Sequence, residues 1–248
     1  FDETLISSLT LADMEGVAPV ETTGQVRWYK RPTPGHTYMV SLDPSMGTGG
    51  DYAAIQVFEL PTFEQIGEWH HNQTPMNQQV RILQGINKHI HDAIMEKDAT
   101  ASPQIFYSME NNTIGEAALM RVMDIGEENI QGMFLSEPIR KGHRRKFRRG
   151  FNTTAKHKID ACTKFKELVE NDKMKINSQL LISEMKDFVA SGLSYKAKPG
   201  QHDDLVSACL LMTRMMKVLA DFDPKIFEKW TDRTSEIIPM PIFGSFTG

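Results

Sequence analysis

The sequence predicts one α/β domain on a mixed sheet: an antiparallel meander of three strands, then parallel strands, with helices on the flanks. Three observations lead there. Between residues 37 and 69 apolar residues cluster in three short stretches joined by brief turns, the pattern of successive antiparallel strands. From residue 77 the apolar spacing changes to three and four, the period of amphipathic helices. Short apolar strands and helices then alternate, an order that covers a sheet with helices.

The elements follow in turn. Residues 1–35 read as a lead-in on the hinge side, with a candidate strand at 25–29 and breaks at Pro32 and Pro34. Residues 37–42 form a buried strand ending at Asp43. The glycine-rich stretch Ser45-Met46-Gly47-Thr48-Gly49-Gly50-Asp51 turns the chain into a second strand at 52–58, and a third follows Pro61 at 63–69. Val80, Leu83, Ile86, Ile90 and Ile94 stripe a helix over 77–97. Residues 104–109 form a strand ending at Glu110, and Thr113-Ile114-Gly115-Glu116 reads as a capping box opening a helix to Met123. Met133-Phe134-Leu135 is a short strand. Ile159, Cys162, Phe165, Leu168 and Val169 mark one helix, and Leu181, Met185 and Phe188 the next. A short arm at 193–197 precedes Asp203-Asp204, which open a long helix striped by Leu205, Cys209, Met212, Met216 and Leu219. The domain proper thus spans 36–221, and 222–248 read as a proline-punctuated tail over its surface.

With 248 residues the chain can bury a substantial core. Cys162 and Cys209, its two cysteines, fall inside helical patterns, which argues against a disulfide framework or a thiolate zinc site and for a reducing compartment. No run approaches the ~18 apolar residues of a membrane span, so no membrane partner is expected. The start, Phe1-Asp2-Glu3, has neither an initiator Met nor a signal-peptide pattern, and is expected to be a cut from a longer protein. The formal charge of −4 conceals a partition: residues 138–158 hold nine Lys and Arg and no acid, leaving 19 basic against 32 acidic side chains elsewhere, a net of −13. The nine are Arg140, Lys141, Arg144, Arg145, Lys146, Arg148, Arg149, Lys156 and Lys158. Such a basic stretch, interleaved with Phe147 and Phe151, suits contact with nucleic-acid phosphates, though a solvated loop has the same composition.

The chemistry lies in what ends each element. Asp43 ends the first strand, Glu110 the fourth, and Asp203-Asp204 open the last helix. Strand ends and helix starts on one edge of an α/β sheet converge on a crevice. Carboxylates converging there repel one another unless a cation lies between them, and Mg²⁺ suits a few carboxylates plus water and phosphate oxygens. Two such ions about 3.5–4 Å apart can clamp an in-line displacement at phosphorus. Each acid also has a plainer use: Asp43-Pro44 as a turn opener, Glu110 in a polar loop, the Asp pair against a helix dipole. The glycine-rich turn lacks the Gly-Lys-Ser/Thr of a phosphate loop and joins two strands. Its small residues leave room for a phosphate backbone beside Asp43, with Asp51 in support. His202, next to the Asp pair, could orient a water or phosphate; His70 and His71 are weaker signals.

Residues 40–44 with 47–54, the stretch Tyr107-Ser108-Met109-Glu110-Asn111-Asn112, and His202-Asp203-Asp204-Leu205-Val206 resemble the three acidic motifs of the nuclease domain in large terminase subunits of tailed bacteriophages. Gly150-Phe151-Asn152-Thr153-Thr154-Ala155-Lys156 is similar to that family's Thr/Lys-containing segment. The resemblance implies a ribonuclease-H-like fold and a metal-dependent endonuclease cutting concatemeric double-stranded viral DNA during packaging. It implies Asp43, Glu110 and Asp204 as catalytic acids and metal ligands, Asp203 as a supporting ligand, and Mg²⁺ or Mn²⁺ as cofactor, two ions in number. One ion would be shared by Asp43 and Asp204 and the other by Asp43 and Glu110. The implied partners are double-stranded DNA, an N-terminal packaging ATPase of the same protein, a portal and a small terminase subunit, in the host cytoplasm. No Walker A loop occurs here, so this piece is not expected to hydrolyse ATP. Three other readings remain: a junction resolvase or transposase of the same fold, an actin-like nucleotide-binding domain, and a non-catalytic DNA clamp.

Overall fold

A computed structural model describes residues 3–138 and 149–222. Arg140, Lys141, Arg144, Arg145, Lys146 and Arg148, and nearly all of the expected tail, lie outside the described residues. Seven strands, β1 (Glu21–Thr23), β2 (Val26–Trp28), β3 (Thr37–Asp43), β4 (Ala53–Leu60), β5 (Glu64–His71), β6 (Gln104–Met109) and β7 (Met133–Phe134), make one sheet. Their order is β1-β2-β5-β4-β3-β6-β7. β3, β4 and β5 form the expected antiparallel meander, while β6 runs parallel to β3 and β7 parallel to β6. The helices are α1 (Ser8–Asp13), α2 (Met76–Lys97), α3 (Thr113–Ile125), α4 (Ala155–Glu170), α5 (Gln179–Asp187) and α6 (Asp204–Phe222). A separate hairpin pairs β8 (Phe188–Ser191) with β9 (Ser194–Ala197).

The two-residue period of the strands sorts side chains between two cores. Tyr38, Val40 and Leu42 of β3 pack with Val80, Leu83 and Ile90 of α2 on one face. Met39 of β3 and Phe58 of β4 pack on the other, with Phe165, Leu181, Cys209 and Met212 from α4, α5 and α6. Each fully buried aliphatic side chain contributes about 1.5–3 kcal/mol. Ser41 shares the face of Met39, and its hydroxyl donates to the Ala208 carbonyl at 2.8 Å, fixing β3 against α6. Asp43 is next on that face.

The structure departs from the sequence reading at short elements. The six residues of α1 are too few to show a helical period; Ser7 caps it, its side chain accepting from the Thr10 amide. β1 turns into β2 at Gly24, whose φ is +61°, and extends the sheet beyond the meander. Leu5, Ile6 and Leu11 are buried in the same core as α5. Asn112 rather than Thr113 caps α3. Phe188 opens β8 instead of ending α5. No described helix is long and apolar enough to cross a membrane, and both cysteines are buried and unpaired.

Candidate active site

β3 and β6 run side by side with Leu42 opposite Met109, and the Glu110 amide donates to the Leu42 carbonyl at 3.1 Å. Asp43 and Glu110 therefore end adjacent parallel strands, on the face that carries α6. Glu110 is held from behind. Asn112 donates through Nδ2 to its Oε2 at 3.2 Å and accepts through Oδ1 from the Gly115 amide at 2.8 Å. The first turn of α3 lies so close that a Cβ on Gly115 would stand 1.8 Å from the Glu110 carbonyl oxygen. Alanine in place of a helical glycine ordinarily stabilises. Gly115→Ala is expected to do the reverse, lowering stability by about 2 kcal/mol through overpacking as read by urea unfolding; a stabilised variant would contradict this packing.

The glycine-rich turn is fixed from α2. Gln79, fully buried, donates from Nε2 to the carbonyls of Ser45 and Thr74 at 2.9 and 2.7 Å, and its Oε1 accepts from the Ser45 amide at 3.2 Å. Gly47 has φ +69°, and a Cβ there would lie 2.2 Å from the Thr74 carbonyl oxygen. The chain leaving Asp43 is thus tightly held. Asp51, at the end of this turn, is exposed.

The Asp pair enters from α6. Asp203 accepts from the Ala197 amide at 3.2 Å through Oδ2, an atom that stands 4.0 Å from Lys158 Nζ. Asp204 accepts from the Tyr52 amide, and His202 Nδ1 lies 3.6 Å from its Oδ2. The Tyr52 ring stacks on His70 at 4.1 Å and meets His202 edge-on at 4.8 Å. His71 is engaged elsewhere, with Thr74 Oγ1 at 2.7 Å from its Nδ1.

These acids sense one another. Burial, the Glu110 charge and a hydrogen bond with Glu110 push Asp43 well above the ordinary carboxylate range, and Asp204 and Asp203 add to the shift. Asp204 is raised to about 6, first by burial and then by Asp203, against the opposing effects of His202 and the Tyr52 amide. Asp51 adds a smaller push in the same direction. Asp43 and Glu110 open into a cleft of about 150 Å³ shared with Thr153, Lys158, Ser207 and Arg214.

Of the expected basic residues that the structure describes, Lys158 lines this cleft. Lys156 is exposed on the first turn of α4. Arg149 is paired with Glu127 and lies over the Phe134 ring. The segment that follows Arg149 joins the sheet edge, the Phe151 amide donating to the Met109 carbonyl at 3.2 Å and the Asn111 amide to the Phe151 carbonyl at 2.7 Å. This pairing sets Thr153 beside the cleft. Thr154 caps α4 by accepting from the His157 amide.

Among the described residues, no group of three or more His, Cys, Asp and Glu side chains is gathered into a ready-made metal cage. The donor chemistry nevertheless fits a hard divalent cation: carboxylate oxygens from separate elements, with mutual repulsion that positive charge relieves. Three polar residues at the site escape sequence reading. Gln79 and Glu184 look like ordinary helix-surface residues. Arg214, paired with Glu137, hydrogen-bonded to Thr153 Oγ1 at 2.8 Å and to the Asn152 carbonyl at 3.0 Å, breaks the apolar run of α6. That break is the one signal the sequence offers.

The family model for the terminase RNaseH-like domain matches residues 40–215. Among solved structures, the large terminase nuclease of thermophilic phage G20c with bound magnesium is similar at 17% identity and TM-score 0.62, over 86% of this chain and 97% of that one. The Thermus phage P74-26 large terminase nuclease domain gives 17% and 0.59, over 84% and 93%. The human cytomegalovirus terminase nuclease domain, soaked with manganese and with inhibitor bound, gives 13% and 0.51, over 85% and 93%. At these identities the likeness is one of fold.

Proposed function

Because the chain belongs to the terminase RNaseH-like domain family, we propose that it cuts concatemeric double-stranded viral DNA by divalent-metal-dependent hydrolysis, as the nuclease part of a large terminase subunit. The observation that carries this reading is Asp43 beside Glu110 at the ends of two parallel strands, with Asp204 close enough to raise the Asp43 pKa. Asp43, Glu110 and Asp204 would hold Mg²⁺ or Mn²⁺, two ions in all, with Asp203 in support; Asp51 and His202 would act from the rim. When bound, the ions supply an activated water and neutralise charge on the leaving oxygen. The protein's own residues do the rest. Asn112 keeps the Glu110 carboxylate oriented, and Gln79 keeps the turn after Asp43 low enough for a phosphate backbone to approach. Lys158 and Thr153 present a cation and a hydroxyl to that backbone.

The same proposal gives this domain an N-terminal packaging ATPase in its own polypeptide, with a portal and a small terminase subunit as partners in the host cytoplasm. Its test needs none of them. The domain should convert supercoiled plasmid to nicked and linear forms with Mg²⁺ or Mn²⁺ and without ATP. Intact plasmid in every metal would overturn the reading.

The basic residues of 140–158 would hold the duplex through phosphates, largely blind to sequence. Charge reversal of Arg144, Arg145 and Arg148 together is expected to weaken DNA binding and to flatten the slope of log affinity against log salt by about 2–3, measured by fluorescence anisotropy. An unchanged slope would assign this segment another task.

A further inference from the structure

The first amides of a helix need acceptors, and the residue just before the helix ordinarily supplies one from its own side chain. α6 begins at Asp204, so Asp203 is placed for that task. It does not perform it, since its Oδ2 accepts from the Ala197 amide. The amides of Leu205 and Val206 donate instead to Oε2 of Glu184, at 2.9 and 3.1 Å. Glu184 stands on α5, 21 residues before Leu205, with its side chain only 10% exposed.

We infer that Glu184 is a positioning residue for the acidic pair: it caps α6 from a neighbouring helix, so that neither Asp203 nor Asp204 is drawn into capping. The inference rests on the reading of these acids as metal ligands. A helix start carries partial positive charge and attracts the nearest carboxylate. With Glu184 occupying it, Asp203 and Asp204 keep conformations in which their charges reach Asp43. The contact extends further, because Glu184 Oε1 lies 3.7 Å from His70 Nε2. His70 stacks on Tyr52, whose amide donates to Asp204. Glu184 thus braces Asp204 through the α6 backbone, with the His70–Tyr52 stack packed alongside.

The test compares Glu184→Ala with Glu184→Gln, whose amide oxygen still accepts from both backbone amides. In metal-free protein, hydrogen exchange at Leu205 and Val206 is expected to accelerate at least about tenfold in the alanine variant and to stay near wild type in the glutamine variant. Mn²⁺ affinity by calorimetry should follow, about tenfold weaker for alanine and within about threefold of wild type for glutamine. Val80→Ala, in the core on the opposite sheet face, controls for a general loss of stability and should move neither readout. Should alanine prevent folding, Glu184→Asp keeps the carboxyl group but shortens the reach, and is expected to show faster exchange and weaker Mn²⁺ binding. Unchanged exchange in whichever of these two variants folds overturns the inference. So does a glutamine variant that loses Mn²⁺ as alanine does, since that assigns the charge itself to the metal. If wild type binds no Mn²⁺ while the exchange pattern holds, the metal reading fails and the cap on α6 stands.

Discussion

Asp43→Asn is expected to lower metal-dependent plasmid nicking by on the order of 10³-fold while leaving the fold intact or more stable. Asp43 is the acid that both others act on: Glu110 beside it, and Asp204 facing it from α6, each raise its pKa. On the proposed reading Asp43 is a shared ligand with no substitute nearby, because Asp51 is exposed at the far end of the turn and Asp203 is engaged with Ala197. The amide of asparagine is nearly the same size and cannot ionise, so it removes repulsion without opening a cavity. The melting temperature in EDTA should therefore hold or rise. Nicking within tenfold of wild type would remove Asp43 from the chemistry.

Stability of the metal-free domain is expected to fall as pH rises from about 4 to 8, and divalent cation should restore it. Asp43, Asp204 and Glu184 all have folded pKa values above their ordinary ones, with Asp204 at about 6 and Glu184 at about 8, burial being the first cause in each. Below the unfolded values both states are protonated and the groups contribute nothing. Above them the unfolded chain releases protons first, so stability is lost until pH passes the folded values. For Asp204 the loss is on the order of 2–3 kcal/mol. Carboxylates with lowered values, such as Glu64 beside Lys175, act in the opposite sense. The comparison is therefore with Asp204→Asn, whose stability should decline less between pH 5 and 8 in urea unfolding. At pH 8, Mg²⁺ at 100 times its Kd would return about 2.7 kcal/mol. Equal slopes for the two proteins, or no effect of Mg²⁺, would contradict this electrostatic account.

Much of this was legible in the sequence, for identifiable reasons. The apolar run at 37–42 specified a buried strand ending at Asp43, but with both faces of that strand buried its pattern does not say which face Asp43 shares. Met39 and Ser41 stand with it on the α6 side only once the helices are docked. The run at 104–109 likewise specified a strand ending at Glu110, and the parallel pairing of β3 with β6 is what sets the two acids side by side. The stripe on α6 told that Asp203-Asp204 lay at a helix start. What the sequence hid depends on contacts between distant residues. Glu184 and Gln79 are unremarkable polar residues until α5 and α2 are docked. The pairing of Arg149 with Glu127 cannot be read from a charge count, which assigned all nine basic residues to one task. Asn112 and Thr113 are both good caps, and geometry alone selects between them.

The most direct test is a crystal of the domain soaked in Mn²⁺, with the ions located by anomalous scattering, alongside the same soak of Asp43→Asn. Ions bound among Asp43, Glu110 and Asp204 in the first crystal, and depleted in the second, are the predicted result. Ions bound elsewhere with these three carboxylates uncoordinated, or equal occupancy in the two crystals, would contradict it.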